Sequence, residues 1–139
     1  MSLERTLAMI KPDAVAAGQA GEILAMIEKA GFKIAAMRMT RLSVAQAQAF
    51  YGVHRGKGFF DGLVKFMTEG PIIALALERE DAILKWREVM GATNPANAAE
   101  GTIRKRFATS VERNCSHGSD APETAAGELA FFFSGSELV

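Results

Sequence analysis

His117 lies in the string NCSHGSD, with Gly118 directly after it, and is one of two histidines in the chain. An imidazole at the end of a strand can act as a nucleophile, and a glycine beside it allows close backbone approach. Glu128 follows on the next predicted helix, where it can turn back toward the ring, fix its tautomer and stabilise its charged form. Taken alone, a histidine in such a short string more often marks a structural strand end, and the glutamate an exposed helix position. Basic residues stand at irregular places: Lys11 at a strand end, Arg87 late in a helix, and Arg104 just after the loop GATNPANAAEG. Thr93 and Asn94 add donors, and the set suits phosphate oxygens, although each cation alone suits a solvated surface. Phe59 and Phe60 follow Gly58, and one ring of such a pair could face a base while the other enters the core. Neither G-x-x-x-x-G-K-[ST] nor G-x-G-x-x-G occurs, so a phosphate site here is not a P-loop or a Rossmann turn.

The elements that must carry these residues follow from pattern. Residues 5–11, RTLAMIK, form a strand that stops at Pro12. Ile23, Leu24, Ile27 and Ala30 recur at helical spacing, with Gly31 ending the helix. Over 32–42, Phe32, Ile34 and Ala36 alternate with Lys33 and Arg38 as in a half-buried strand. Ser43 caps a helix through VAQAQAFYGVH, and RGKGFFDG interrupts before LVKFM resumes. Residues 70–78, GPIIALALE, read as a central strand buried on both faces. EDAILKWREVMG is an amphipathic helix ended by Gly91; the loop over 91–101, a short helix in TIRKRFATSVERN and a last strand in CSHGS follow. Ser119 or Asp120 caps a final helix, with Pro122 in its first turn and Glu123 near its positive end; it continues from Thr124 to Phe133 despite Gly127. The order is a βαββαβ pattern, α+β and ferredoxin-like: a four-stranded antiparallel sheet covered by helices, with a helical insertion and a long loop.

Composition bounds the reading to one domain over residues 1–139. Half of the chain is apolar (49%) against 23% charged, and lysine plus arginine balances aspartate plus glutamate at 16 each. The chain should fold, and no overall field would hold it on nucleic acid or an anionic membrane. The single Cys115 excludes an internal disulfide, and with two histidines no zinc spacing arises. Glu4, Arg5 and Lys11 interrupt any signal-peptide core, and no apolar run is long enough to span a membrane, so the expected location is the cytoplasm.

Together these segments resemble the nucleoside diphosphate kinases. The likeness runs in order through ERTLAMIKPDAV, FYGVHRGKGFFDGLVKFM, GPIIALALE, GATNPANAAEGTIR and NCSHGSDAPETA to FFF, nearly the whole chain. It implies that His117 takes the γ-phosphoryl group of a nucleoside triphosphate such as ATP and passes it to a nucleoside diphosphate in a ping-pong cycle. A free histidine has a pKa of about 6.5 and is mostly neutral near pH 7, so no special activation is needed. By the same likeness Glu128 orients the histidine, Ser119 stands beside it and Tyr51 lies next to it. Lys11 and Asn114 hold the ribose 3′ hydroxyl, with Lys11 also near the transferred phosphate. Arg87, Thr93 and Arg104 grip the phosphates, with His54 as an additional contact, while Phe59 stacks on the base against Val111. Magnesium comes with the nucleotide, with no direct protein ligand and Asp120 as a water-mediated partner.

The resemblance also implies a homo-oligomer, and the ending GSELV favours a tetramer over a hexamer. Gly58 stands where the family usually has proline, which loosens the loop carrying Phe59. Cys115 and Ser116 replace apolar residues common before the histidine. An alternative reading is a nucleotide-binding regulatory homologue with little turnover, suggested by Gly58 and Gly127. A ferredoxin-like nucleic-acid-binding module would need a basic face with exposed aromatics, which the charge balance disfavours.

Overall fold

The computed structural model describes residues 3–139. Four strands, β1 (Leu3–Ile10), β2 (Lys33–Thr40), β3 (Ile72–Glu80) and β4 (Ser116–Gly118), form one sheet in the order β2-β3-β1-β4. Every neighbouring pair is antiparallel. The helices are α1 (Pro12–Ala16), α2 (Ala20–Lys29), α3 (Val44–Phe50), α4 (Phe60–Met67), α5 (Ala82–Met90), α6 (Ile103–Phe107) and α7 (Pro122–Phe132). This is the ferredoxin-like α+β arrangement the element order implies.

Because Leu7–Ile10 of β1 and Ile72–Leu77 of β3 are continuous apolar runs in the middle of the sheet, both of their faces must be covered. Leu7, Met9, Ile72 and Ala74 point to one side, where Ala47 of α3, Val64 of α4 and Leu129 of α7 meet them. Ala8, Ile10, Ile73 and Leu75 point to the other, against Ile23 of α2, Trp86 of α5 and Ile103 of α6. The helical insertion, α3 and α4, therefore closes the first of these faces together with α7. Ser43 caps α3 as expected, through a reciprocal pair with Gln46 (2.9 and 3.1 Å).

Four local expectations change. The first strand spans Leu3–Ile10, and Lys11 is the N-cap of α1, a helix absent from the sequence reading. Pro12 ends a strand, but its fixed φ and missing N–H equally suit the first position of a helix. In β2 the simple alternation fails at a bulge between Ile34 and Ala36, so Ala35 is the fully buried residue. Neither Ser119 nor Asp120 caps α7: the N-cap is Ala121, whose N–H donates to Thr124 Oγ1 at 3.0 Å. Asn94 caps its own turn, its Oδ1 accepting from Ala96 N–H at 3.0 Å, and it stands outside the lining of the cleft that holds Thr93.

Candidate active site

Strand β4 brings His117 beside Met9 of β1 and presents it to a cleft of about 510 Å3. Trp86, fully buried, donates its indole N–H to His117 O at 2.9 Å and so anchors the backbone of the histidine to α5. Gly118 is demanded by this packing, since a Cβ there would lie 2.6 Å from both Trp86 Cδ1 and Met90 Cε. The close approach is that of the protein's own core helix.

Behind the ring runs a continuous hydrogen-bond chain. Leu7 N–H donates to Ser119 Oγ (3.2 Å), Ser119 O–H donates to Glu128 Oε1 (2.7 Å), and the same oxygen accepts from His117 Nε2 (2.9 Å). Because Ser119 already accepts from the strand, its own proton is free for Glu128. A carboxylate oxygen accepts and does not donate, which places the imidazole proton on Nε2 and leaves the Nδ1 lone pair free. Glu128 is thus partly buried and engaged. Gly127 beside it leaves α7 unbroken, and a Cβ there would meet nothing.

Three cations line the cleft, and two are buried, so they are not solvated surface charges. Arg104 donates to Gly91 O (3.1 Å), Ser116 O (2.9 Å) and Asn114 O (3.4 Å), which locks the guanidinium against loop carbonyls. Burial lowers its pKa, with Arg87 acting in the same direction. Lys11 donates to Asn114 Oδ1 at 2.8 Å; burial, then Arg104, pull its pKa down from 10.5 to about 8. Two like charges held together out of water destabilise each other until an anion arrives. Arg87 is the exposed one, paired with Asp120 at 2.6 Å, and Thr93 completes the wall. Asp120 is thereby engaged, and among the described residues no three His, Cys, Asp or Glu side chains gather to hold an ion.

A second cleft, of about 770 Å3, meets the first at Lys11. Phe59 (53% exposed) and Val111 (46% exposed) line it, both apolar and both open to solvent. Phe60 is buried and packs into the core, so the Phe-Phe pair divides as expected. Tyr51 lies edge-on to His117, with ring centroids 6.4 Å apart, and burial holds its phenol protonated, with the Glu128 charge acting the same way. His54 falls outside the lining of the phosphate-side cleft and stands next to Phe59 (5.2 Å). Trp86, Asp13 and Phe50, which lies 5.5 Å from the His117 ring, escaped the sequence reading. Two of them carried a signal: Trp86 as the single indole of the chain, and Asp13 as the last residue of the Lys-Pro-Asp string.

A family model described as nucleoside diphosphate kinase matches residues 4–138. A nucleoside diphosphate kinase of Cereibacter sphaeroides is 60% identical over 139 residues, covering 100% of this chain and 99% of that protein. The crystal structure of the Aquifex aeolicus nucleoside diphosphate kinase superposes with a TM-score of 0.97 at 45% identity, covering 99% of this chain and 100% of the other. A halophilic nucleoside diphosphate kinase from Halobacterium salinarum, solved in complex with CDP, gives a TM-score of 0.95 at 40% identity, over 99% and 92% of the two chains.

Proposed function

The chain belongs to the nucleoside diphosphate kinase family and transfers phosphoryl groups between nucleotides, and from that premise we propose a ping-pong mechanism through a phosphohistidine at His117. The observation that carries this reading is the imidazole pinned at Nε2 by Glu128 while it faces a cleft lined by Lys11, Arg87 and Arg104. Nδ1 attacks the γ-phosphorus of ATP; the N–P bond forms as the bond to the β-phosphate oxygen breaks, and ADP leaves. No proton moves in this step, because the attacking nitrogen is bare. The proton on Nε2 stays against Glu128, which stabilises the positive ring, while the cations stabilise the charge on the moving phosphoryl oxygens. A β-phosphate oxygen of the acceptor diphosphate then reverses the step.

Lys11 and Asn114, already bonded to each other, are assigned to the ribose 3′ hydroxyl, and Thr93 to the phosphates with the two arginines. Phe59 and Val111 are assigned to the two faces of the base. Stacking of this kind tolerates any base, since every base has a π-face. Magnesium belongs to the substrate in this reading, bound to the phosphates of the nucleotide, with Asp120, here paired with Arg87, as its water-mediated neighbour. We assign residues 1–139 to one domain, the location to the cytoplasm and the assembly to a homo-oligomer, tetrameric before hexameric. Edge strand β2, with Met37 (55%) and Met39 (61%) exposed, supports self-association. Among the described residues no helix is long and apolar enough to cross a membrane.

Intact-protein mass after incubation with ATP and magnesium tests the mechanism. The expected result is gain of one phosphoryl group, lost on chasing with GDP and absent from His117→Ala. Nucleotide binding without labelling would overturn it, and a monomer by light scattering would overturn the assembly.

A further inference from the structure

Asp13 touches none of the reacting groups, yet it reaches the backbone that carries the site. Cys115 has φ of +62°, one of two described non-glycine residues in the left-handed region. The chain reverses there so sharply that Ser116 N–H donates to Asn114 O at 2.8 Å. A three-residue turn of this hand is strained for a residue with a Cβ and persists only where its surroundings hold it. On one side of the turn lies Asn114, bonded to Lys11; on the other lies His117.

Both backbone groups of Cys115 are tied to the start of α1. Its carbonyl accepts from Lys11 N–H at 2.9 Å, and its own N–H donates to Asp13 Oδ2 at 3.1 Å. The thiol adds little, with Ile103 O at 3.9 Å as its contact. Asp13 Oδ1 is buried without a hydrogen-bond partner among the described residues, so the carboxylate is taken out of water to make the Oδ2 bond to Cys115. Of the two ties, only the Asp13 bond comes from a side chain.

We propose that Asp13 is a positioning residue for phosphoryl transfer: its carboxylate holds the left-handed turn at Cys115 and so sets His117 against Asn114 and Lys11. This rests on the phosphohistidine reading above. The Lys-Pro-Asp string then has two outputs, one at the substrate and one at the backbone behind it.

Glycine adopts the left-handed conformation without strain, so a glycine at 115 would not need the clamp. The test compares Asp13→Ala, Asp13→Asn, Cys115→Gly and the double variants Asp13→Ala/Cys115→Gly and Asp13→Asn/Cys115→Gly. The rate of phosphohistidine formation, the Kd for ADP and the melting temperature are read for each. Small misplacements of reacting groups cost up to about 100-fold, so Asp13→Ala is expected to slow labelling roughly 30-fold while the Kd for ADP stays within about threefold. Asp13→Asn keeps an acceptor and should lose less. Adding Cys115→Gly should return the rate to within about threefold of Cys115→Gly alone. Labelling by Asp13→Ala at the parental rate, a loss that glycine does not repair, or an equal loss in ADP affinity would each overturn the proposal. If Asp13→Ala does not fold, the Asp13→Asn pair is judged by the same criteria. Failure of the parent protein to label would instead overturn the phosphohistidine reading.

Discussion

The phosphate side and the base side of the cleft meet at Lys11 and are built in opposite ways. On the phosphate side the groups behind the reacting ring are committed: Arg104 to loop carbonyls, Ser119 to strand and carboxylate, and His117 to Glu128 and Trp86. On the base side two exposed apolar side chains face solvent, one of them on a glycine-rich loop. Bond-making at a defined phosphorus requires groups fixed to within a fraction of an ångström, whereas accepting any base requires area and no fixed donors. Rigidity is concentrated where the chemistry is.

The largest break in this contrast is expected from Glu128→Ala, which removes the partner of Nε2 and of Ser119 together. Labelling by ATP in a quenched-flow assay should slow by about 100-fold, in the range typical of a lost acid–base or orienting partner, with the Kd for ADP little changed. An unchanged rate would mean that packing alone orients the ring.

Lys11→Met comes next and has two opposite signs. Turnover should fall at least tenfold, as the charge on the transferring group loses a partner, while the fold gains stability at pH 7 in thermal or urea unfolding. Burial holds the Lys11 pKa at about 8 against 10.5 in the unfolded chain. The unfolded state therefore binds the extra proton between these values, and parental stability rises as pH increases through that window. The contribution is absent below about pH 8 and complete above 10.5. It is on the order of 3 kcal/mol for a shift of this size, less the bond lost to Asn114. The methionine variant should show no such rise. In the parent, kcat/KM should fall above about pH 8 as free-enzyme Lys11 loses its charge.

On the base side the effects should be smaller and uniform. Phe59→Ala should raise KM for ADP, GDP, CDP and UDP alike, by about tenfold for a stack worth 1–3 kcal/mol, with kcat little changed. A change confined to one base would show that the cleft reads base edges. The smallest effects belong to two open glycines, where an added Cβ meets nothing. Gly58→Pro should lower KM modestly by stiffening the Phe59 loop, and Gly127→Ala should raise stability by about 1 kcal/mol in the helix that aims Glu128.

Much of this was legible in the chain. The apolar runs of β1 and β3, the Ser43 and Gln46 cap and Gly91 at the end of α5 are short-range signals that depend on residue type and spacing within one element. So too are the types suited to phosphoryl chemistry: a histidine beside a glycine, a glutamate on the next helix and cations at loop edges. The sequence by itself determined the order of the strands and of the helices other than α1, and the inventory of reactive groups. Only the tertiary structure decided which cations are buried, which hydroxyl completes the relay, that Gly118 answers to Trp86 and that Asp13 grips Cys115. Those outcomes depend on pairs far apart in the chain, such as Leu7 with Ser119 or Asp13 with Cys115, brought together by strand pairing and packing. Periodicity within a segment reports which face is apolar; it carries no information about which distant polar atom that face will meet.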